Sequence, residues 1–161
     1  MLNYRRLGTG PSLVLQHGFL GGSGYWEPQF AMFGRHFNVV APDLPGFAGS
    51  AGSPVPDTLE GFAAALVGLL DQLGVERTML LGHSMGSMVS LQIALDYPER
   101  VDRLVLYGSA STGNLADRFE PVEASIERIE THGVDATADH IVPTWFVAGN
   151  DAPFATMCRD A

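Results

Sequence analysis

The chain has 161 residues, 46% of them hydrophobic, and a formal net charge of −9, which allows one domain with a substantial core. That negative balance, without a local basic cluster, argues against a nucleic-acid ligand, and no apolar run has the length of a membrane span. The single cysteine, Cys158, leaves no internal disulfide, and residues 1–6 lack the apolar segment of a signal peptide, so the expected compartment is a reducing cytoplasm.

Residues 3–7 are predicted as a strand, Gly8-Thr9-Gly10-Pro11 as a turn, and Ser12-Leu13-Val14-Leu15-Gln16 as a buried strand. This strand runs into a glycine-bearing loop, His17-Gly18-Phe19-Leu20-Gly21-Gly22. Residues 26–33 read as a helix and residues 38–41 as a strand, which leads into Asp43-Leu44-Pro45-Gly46-Phe47-Ala48-Gly49-Ser50. Residues 59–73 form an amphipathic helix with Leu59, Phe62, Leu66, Leu69, Leu70 and Leu73 on one stripe; Asp57 and Glu60 suit its start and Gly74 its end. Thr78-Met79-Leu80-Leu81 is a short buried strand, residues 87–97 a helix stopped by Pro98, and residues 103–107 a further strand. Uninterrupted apolar strands between helices imply an α/β class, with a mainly parallel sheet and helices on both faces.

Beyond Tyr107 the pattern changes. Residues 109–114 form a small-polar loop, and the chain from Pro121 onward reads as helices. Val122, Ile126 and Ile129 share one helical face; Ala138, Ile141, Val142, Trp145 and Phe146 share another, which Pro143 splits or kinks. Trp145 and Phe146 on such a stripe read first as core and second as the lining of an apolar pocket.

Between the strand at 78–81 and the helix at 87–97 lies Gly82-His83-Ser84-Met85-Gly86. A serine on a sharp strand-to-helix turn has a strained backbone, and side chains two positions to either side would collide, so both positions favour glycine. Such a turn presents the Ser84 hydroxyl above the sheet as a nucleophile. The next backbone N–H, that of Met85, lies at a helix N-terminus and can stabilise an oxyanion. The pentapeptide alone is only moderately specific, and its strand–turn–helix context strengthens it.

The Ser84 elbow, the His17–Gly22 loop and the Asp43–Ser50 loop together resemble the α/β-hydrolase family in order and spacing, over about residues 3–160. The resemblance implies that the second oxyanion donor is the backbone N–H of Phe19, with His17, Gly18, Gly82, His83 and Gly86 supporting the two motifs. It divides the chain into the front of a hydrolase core (1–112) and the start of a helical cap (113–161). Serine at position 84 departs from the aspartate of haloalkane dehalogenases and epoxide hydrolases. The elbow, the Asp43 loop and the run from Glu99 to Leu106 look most like the enol-lactonase and carboxylesterase branch. The expected substrate is therefore a small-molecule ester or lactone; carbon–carbon bond hydrolases and perhydrolases share these motifs.

In the family the catalytic acid and histidine follow later strands, each strand–helix unit taking about 30 residues, so the resemblance implies that base and acid lie outside this chain. Of the five histidines, His17 and His83 read as loop-orienting residues, His36 as surface and His132 as a helix end before Gly133. His140, near Asp135 and Asp139, is the least poor substitute base. Asp43 reads as a turn or hydrogen-bonding residue, and Asp117, Asp135, Asp139 and Asp151 as solvated residues or helix caps. No zinc spacing or phosphate-loop pattern is present, and acyl transfer through serine needs no cofactor. The strand at 103–107 is expected to present an open edge, to be completed by a C-terminal fragment or a second copy. A binding module that keeps the fold without its chemistry is the reading from another class.

Overall fold

The computed structural model describes residues 1–109 and 120–160. It divides into two compact units, Met1–Gly113 and Asn114–Ala161.

The first unit is built on a five-stranded sheet in the order β1-β3-β2-β4-β5. Its strands are β1 (Tyr4–Leu7), β2 (Ser12–Gln16), β3 (Asn38–Pro42), β4 (Thr78–His83) and β5 (Val101–Tyr107). β1 pairs antiparallel with β3, and every other pairing is parallel. The crossovers carry α1 (Glu27–Phe33), α2 (Leu59–Gln72) and α3 (Met85–Asp96). From β2 the chain steps outward to β3 and then returns past β2 to β4. The strand order therefore reverses between β2 and β4, and the carboxyl ends of these two strands flank the crevice that such a reversal opens.

Two apolar layers follow from the strand alternation. Val14, Val40 and Leu80 point to one face and pack with Ala63, Leu66, Leu69 and Leu70 of α2 and with Val89 and Ile93 of α3. Leu13, Leu15, Val39 and Ala41 point to the other face and pack with Trp26 and with Phe30 of α1. Leu66, Leu69 and Leu70 are essentially fully buried, worth about 1.5–3 kcal/mol each relative to an exposed side chain.

The ends of α2 explain its length. Thr58, rather than Asp57, caps the start, its hydroxyl accepting from the Gly61 N–H at 3.2 Å. At the other end Gly74 takes φ +67°. The Val75 N–H then reaches the Leu70 carbonyl at 2.9 Å and the Gly74 N–H the Asp71 carbonyl at 3.1 Å, a paired closure that favours glycine at the left-handed residue.

Among the described residues, helical cover is complete over the sheet centre and partial over β5, where Val101 and Leu104 pack in the layer of α3. Val105, Leu106 and Tyr107 are 52%, 44% and 60% exposed, and β5 forms one edge of the sheet.

In the second unit α4 (Val122–Ile141) is broken at Gly133, whose φ of 83° and ψ of 175° are not helical, so His132 ends a helical segment as its sequence predicts. A 3-10 turn, Val142–Trp145, replaces the helix at Pro143, and α5 (Ala155–Asp160) closes the described chain. The unit buries Ala138, Ile141, Val142, Ala155 and Cys158. Trp145 is 40% exposed, and Val122 and Ile126 are about half exposed. The predicted stripe fails at Trp145 because Pro143 changes the helical period before that residue is reached. Residues 110–114 of the predicted polar loop, and Asp117, lie outside the described residues.

Candidate active site

Ser84 joins β4 to α3 with φ 51° and ψ −121°, a conformation that costs a non-glycine residue about 1–3 kcal/mol and persists only when its surroundings impose it. Those surroundings are hydrogen bonds. The Ser84 N–H donates to the Tyr107 carbonyl at 2.9 Å, and the Ser84 carbonyl accepts from the Ser87 N–H at 2.9 Å. The buried Ser87 hydroxyl donates to the Gly82 carbonyl at 2.5 Å and accepts from the Tyr107 N–H at 3.1 Å. β4, β5 and α3 are thus tied together around one residue.

The glycines of the elbow answer to contacts as well as to the turn. A Cβ on Gly82 would meet the Gly86 carbonyl and stand 2.6 Å from the Ser87 Cα. A Cβ on Gly86 would meet the His17 carbonyl and stand 2.5 Å from the Gln16 carbonyl oxygen, because the start of α3 presses on the end of β2. Gly18 completes the set: a Cβ there would lie 2.9 Å from the Cβ of Ser84. The loop after β2 and the Ser84 elbow therefore meet at van der Waals distance, as the two motifs predict.

Within that loop the Gly21 N–H donates to the Gly18 carbonyl at 3.2 Å, a turn that leaves the Phe19 N–H out of its closing bond; Leu20 takes φ 56° in the same turn. The Phe19 ring packs edge-on against Phe47, centroids 6.2 Å apart. Met85 is the first residue of α3, so its N–H has no acceptor within the helix, and the helix dipole places partial positive charge there.

His17 is fully buried, and both of its ring nitrogens are used. The Leu44 N–H donates to Nε2 at 2.9 Å, which leaves the proton on Nδ1, 2.8 Å from the Gly18 carbonyl. Burial lowers its pKa below the ordinary 6.5, outweighing the Gly18 hydrogen bond and the Asp43 charge, which raise it. A neutral imidazole with both nitrogens engaged by backbone cannot also take a proton from Ser84.

His83 lies stacked on Tyr25, centroids 5.0 Å apart and planes within 9°, with Tyr107 tilted against it at 5.1 Å. Among the described residues its buried Nδ1 has no hydrogen-bond partner, and burial lowers its pKa too. His36 and His132 are exposed. His140 faces Glu120 at 3.8 Å rather than Asp135 or Asp139, and Glu120 is already held by Arg128 at 3.0 Å. The Ser125 hydroxyl, first among the causes, and Arg128 hold the Glu120 carboxyl below its ordinary range. Among the described residues no group of three or more His, Cys, Asp or Glu side chains is arranged to hold a metal ion, and no helix is long and apolar enough to cross a membrane.

Ser87 and the Tyr25–His83–Tyr107 stack were not singled out by the sequence reading. Ser87 carries a legible signal, a small hydroxyl three residues after Ser84 in the first turn of α3. The stack carries none, since its members come from three separated segments.

A family model described as alpha/beta hydrolase fold matches residues 11–128. The chain is 34% identical over 128 residues to the 2-hydroxy-6-oxo-6-phenylhexa-2,4-dienoate hydrolase of Comamonas testosteroni, covering 76% of this chain and 44% of that protein. It is 41% identical over 96 residues to the putative carbamate hydrolase RutD of Pantoea ananatis (strain LMG 20103), covering 59% of this chain and 35% of that one. The chain thus spans less than half the length of these relatives. Among solved structures, the enol-lactonase from Burkholderia xenovorans LB400 superposes with a TM-score of 0.80 at 27% identity, covering 99% of this chain and 63% of that one. A hydrolase from Pseudomonas aeruginosa PA01 gives 0.76 at 28% identity, covering 97% and 60%. The Ser84 elbow, the sheet order and the family match over residues 11–128 agree, and the chain belongs to the α/β-hydrolase fold family.

Proposed function

We propose that the protein is a serine hydrolase of ester or lactone carbonyls that acts through an acyl-enzyme on Ser84. The observation that carries this reading is the imposed backbone of Ser84 at φ 51°, with Gly18 against its side chain. The Ser84 Oγ attacks the carbonyl carbon while its proton passes to a histidine. The tetrahedral oxyanion is held by the Phe19 and Met85 N–H groups; collapse expels the alcohol, which takes the proton, and water then releases the acid by the same steps. Losing one such donor costs on the order of 10²–10³ in rate.

Neither His17 nor His83 is placed to serve as the base, and Asp43 is committed to other partners. The histidine and acid are therefore assigned to polypeptide that follows this chain in its reading frame, as a strand–helix continuation lying parallel on β5. The exposed Val105, Leu106 and Tyr107 and the 35–44% of the relatives' length that the chain spans support that occupant. Light scattering on the chain with and without the continuation tests it. The continued chain is expected to be monomeric, and a stable dimer of the continued chain through β5 would assign that edge to a second copy.

A second reading, hydrolysis of a carbon–carbon bond beside a carbonyl, is favoured by the Comamonas testosteroni relative, which matches over 128 residues. The two separate by turnover: p-nitrophenyl butyrate and dihydrocoumarin against a 2-hydroxy-6-oxo-dienoate, each with Ser84→Ala as control. Hydrolysis of the ester and lactone, lost in Ser84→Ala, is expected. Turnover of the dienoate alone would select the second reading, and activity surviving in Ser84→Ala would remove both.

A further inference from the structure

We propose that Asp43 is a positioning residue that holds the oxyanion loop against Ser84, an assignment that rests on the Ser84 reading above. Asp43 follows β3 and is 2% exposed. Its Oδ1 accepts from the Ser23 N–H at 2.5 Å; its Oδ2 accepts from the Asn3 side-chain amide at 2.5 Å and from the Gly49 N–H at 3.1 Å. The next residue, Leu44, donates its N–H to His17 Nε2. The loop of residues 17–23, which carries Phe19, therefore hangs at both ends from two consecutive residues after β3: His17 from Leu44, and Ser23 from Asp43.

The chemistry demands an acidic side chain. Three donors converge on two oxygens, and only an ionised carboxylate is acceptor-only. An asparagine would turn an NH2 group onto at least one N–H donor at a position only 2% exposed, leaving a buried donor unsatisfied. A turn residue needs no such convergence. The Asp43 N–H is itself fixed to the carbonyl of Asn3, just before β1, at 2.9 Å, so the anchor is tied outside its own loop as well as within it. What the anchor fixes is the loop at whose other end Gly18 touches Ser84. Misplacing a reacting or stabilising group by about 1 Å can cost on the order of 100-fold in rate.

Ser23→Pro isolates the contact. It removes the N–H that Asp43 Oδ1 accepts and with it the Ser23 hydroxyl, whose own loss Ser23→Ala measures separately, at the first residue of the Ser23–Trp26 turn, and Gly22 before it already has an extended backbone (φ −155°, ψ −171°) compatible with a following proline. Asp43→Asn is the companion variant. In the polypeptide that the reading frame encodes, saturation kinetics of fluorophosphonate labelling at Ser84 are measured together with the end-point stoichiometry and the folded fraction by circular dichroism. Both variants are expected to label the folded protein to full stoichiometry with the limiting rate reduced about tenfold or more and the half-saturating concentration little changed. Wild-type rates in folded Ser23→Pro would overturn the assignment, as would a loss that only tracks the unfolded fraction. A wild-type polypeptide that never labels at Ser84 would instead remove the Ser84 reading itself.

Discussion

At the scale of single residues, strain and close approach account for the elbow. Ser84 pays for its backbone with about 1–3 kcal/mol, so Ser84→Gly, which removes both the strain and the proposed nucleophilic hydroxyl, is expected to raise the unfolding free energy by roughly 1 kcal/mol while abolishing labelling; denaturant titration reads the first and mass spectrometry the second. Gly86→Ala runs the other way. Its Cβ would press on the Gln16 and His17 carbonyls, backbone atoms in β2 and the loop after it that cannot yield cheaply, and a loss of about 1–3 kcal/mol is expected. The glycines and Ser84 were legible because the elbow's chemistry lies within five consecutive residues. Asp43 was read as a turn or hydrogen-bonding residue, and its hydrogen bonds are there, but which donors it gathers was not legible because its partners Asn3 and Ser23 are 40 and 20 residues away and local spacing carries no trace of that convergence. The buried imidazoles give a pH dependence of known sign. His17 and His83 have folded pKa values below their ordinary 6.5, so below that pH the unfolded chain binds more protons than the folded one. Stability is expected to be full above about pH 6.5 and to fall as the pH drops through the lowered folded values, read as a falling melting temperature. His17→Gln separates this contribution from that of the carboxylates.

At the scale of elements, periodicity and end signals carried most of the information. The strand at 12–16 and the start of the helix at Leu59 were predicted to the residue, because each is bounded by a turn or a cap and packs by a simple repeat. The cap of α2 is Thr58 rather than Asp57, a one-residue shift with a measurable consequence. Thr58→Ala is expected to cost about 0.5–1 kcal/mol, at the lower end for a cap because the hydrogen bond is exposed and 3.2 Å long; Asp57→Ala should cost less, and thermal denaturation of the two variants compares them. The second unit was less legible. Its described helices are interrupted at Gly133 and again at Pro143, and each interruption resets the angular phase on which a stripe depends, so Trp145 comes out exposed. The Val122–Ile126 face was legible as a face but not as an exposed one, since periodicity tells which residues share a side and not what covers it.

At the scale of the whole chain, sheet order, the match over residues 11–128 and the β5 edge fit the proposed account: a nucleophile at Ser84 and an oxyanion loop at residues 17–23 held together by their own unit, with the proton-transfer partners assigned elsewhere. Strand order was legible only through the motifs, since parallel pairing leaves no local mark on sequence and the reversal between β2 and β4 is a property of the assembled sheet. The central claim is that Ser84 is a nucleophile, and covalent labelling reads it most directly. After exposure of the polypeptide encoded by the reading frame to a fluorophosphonate, intact-mass measurement and peptide mapping are expected to find a single adduct on Ser84, absent from Ser84→Ala and much slower to form in the 161-residue chain alone. An unlabelled Ser84 in the folded, continued polypeptide, or an adduct that persists in Ser84→Ala, would contradict it.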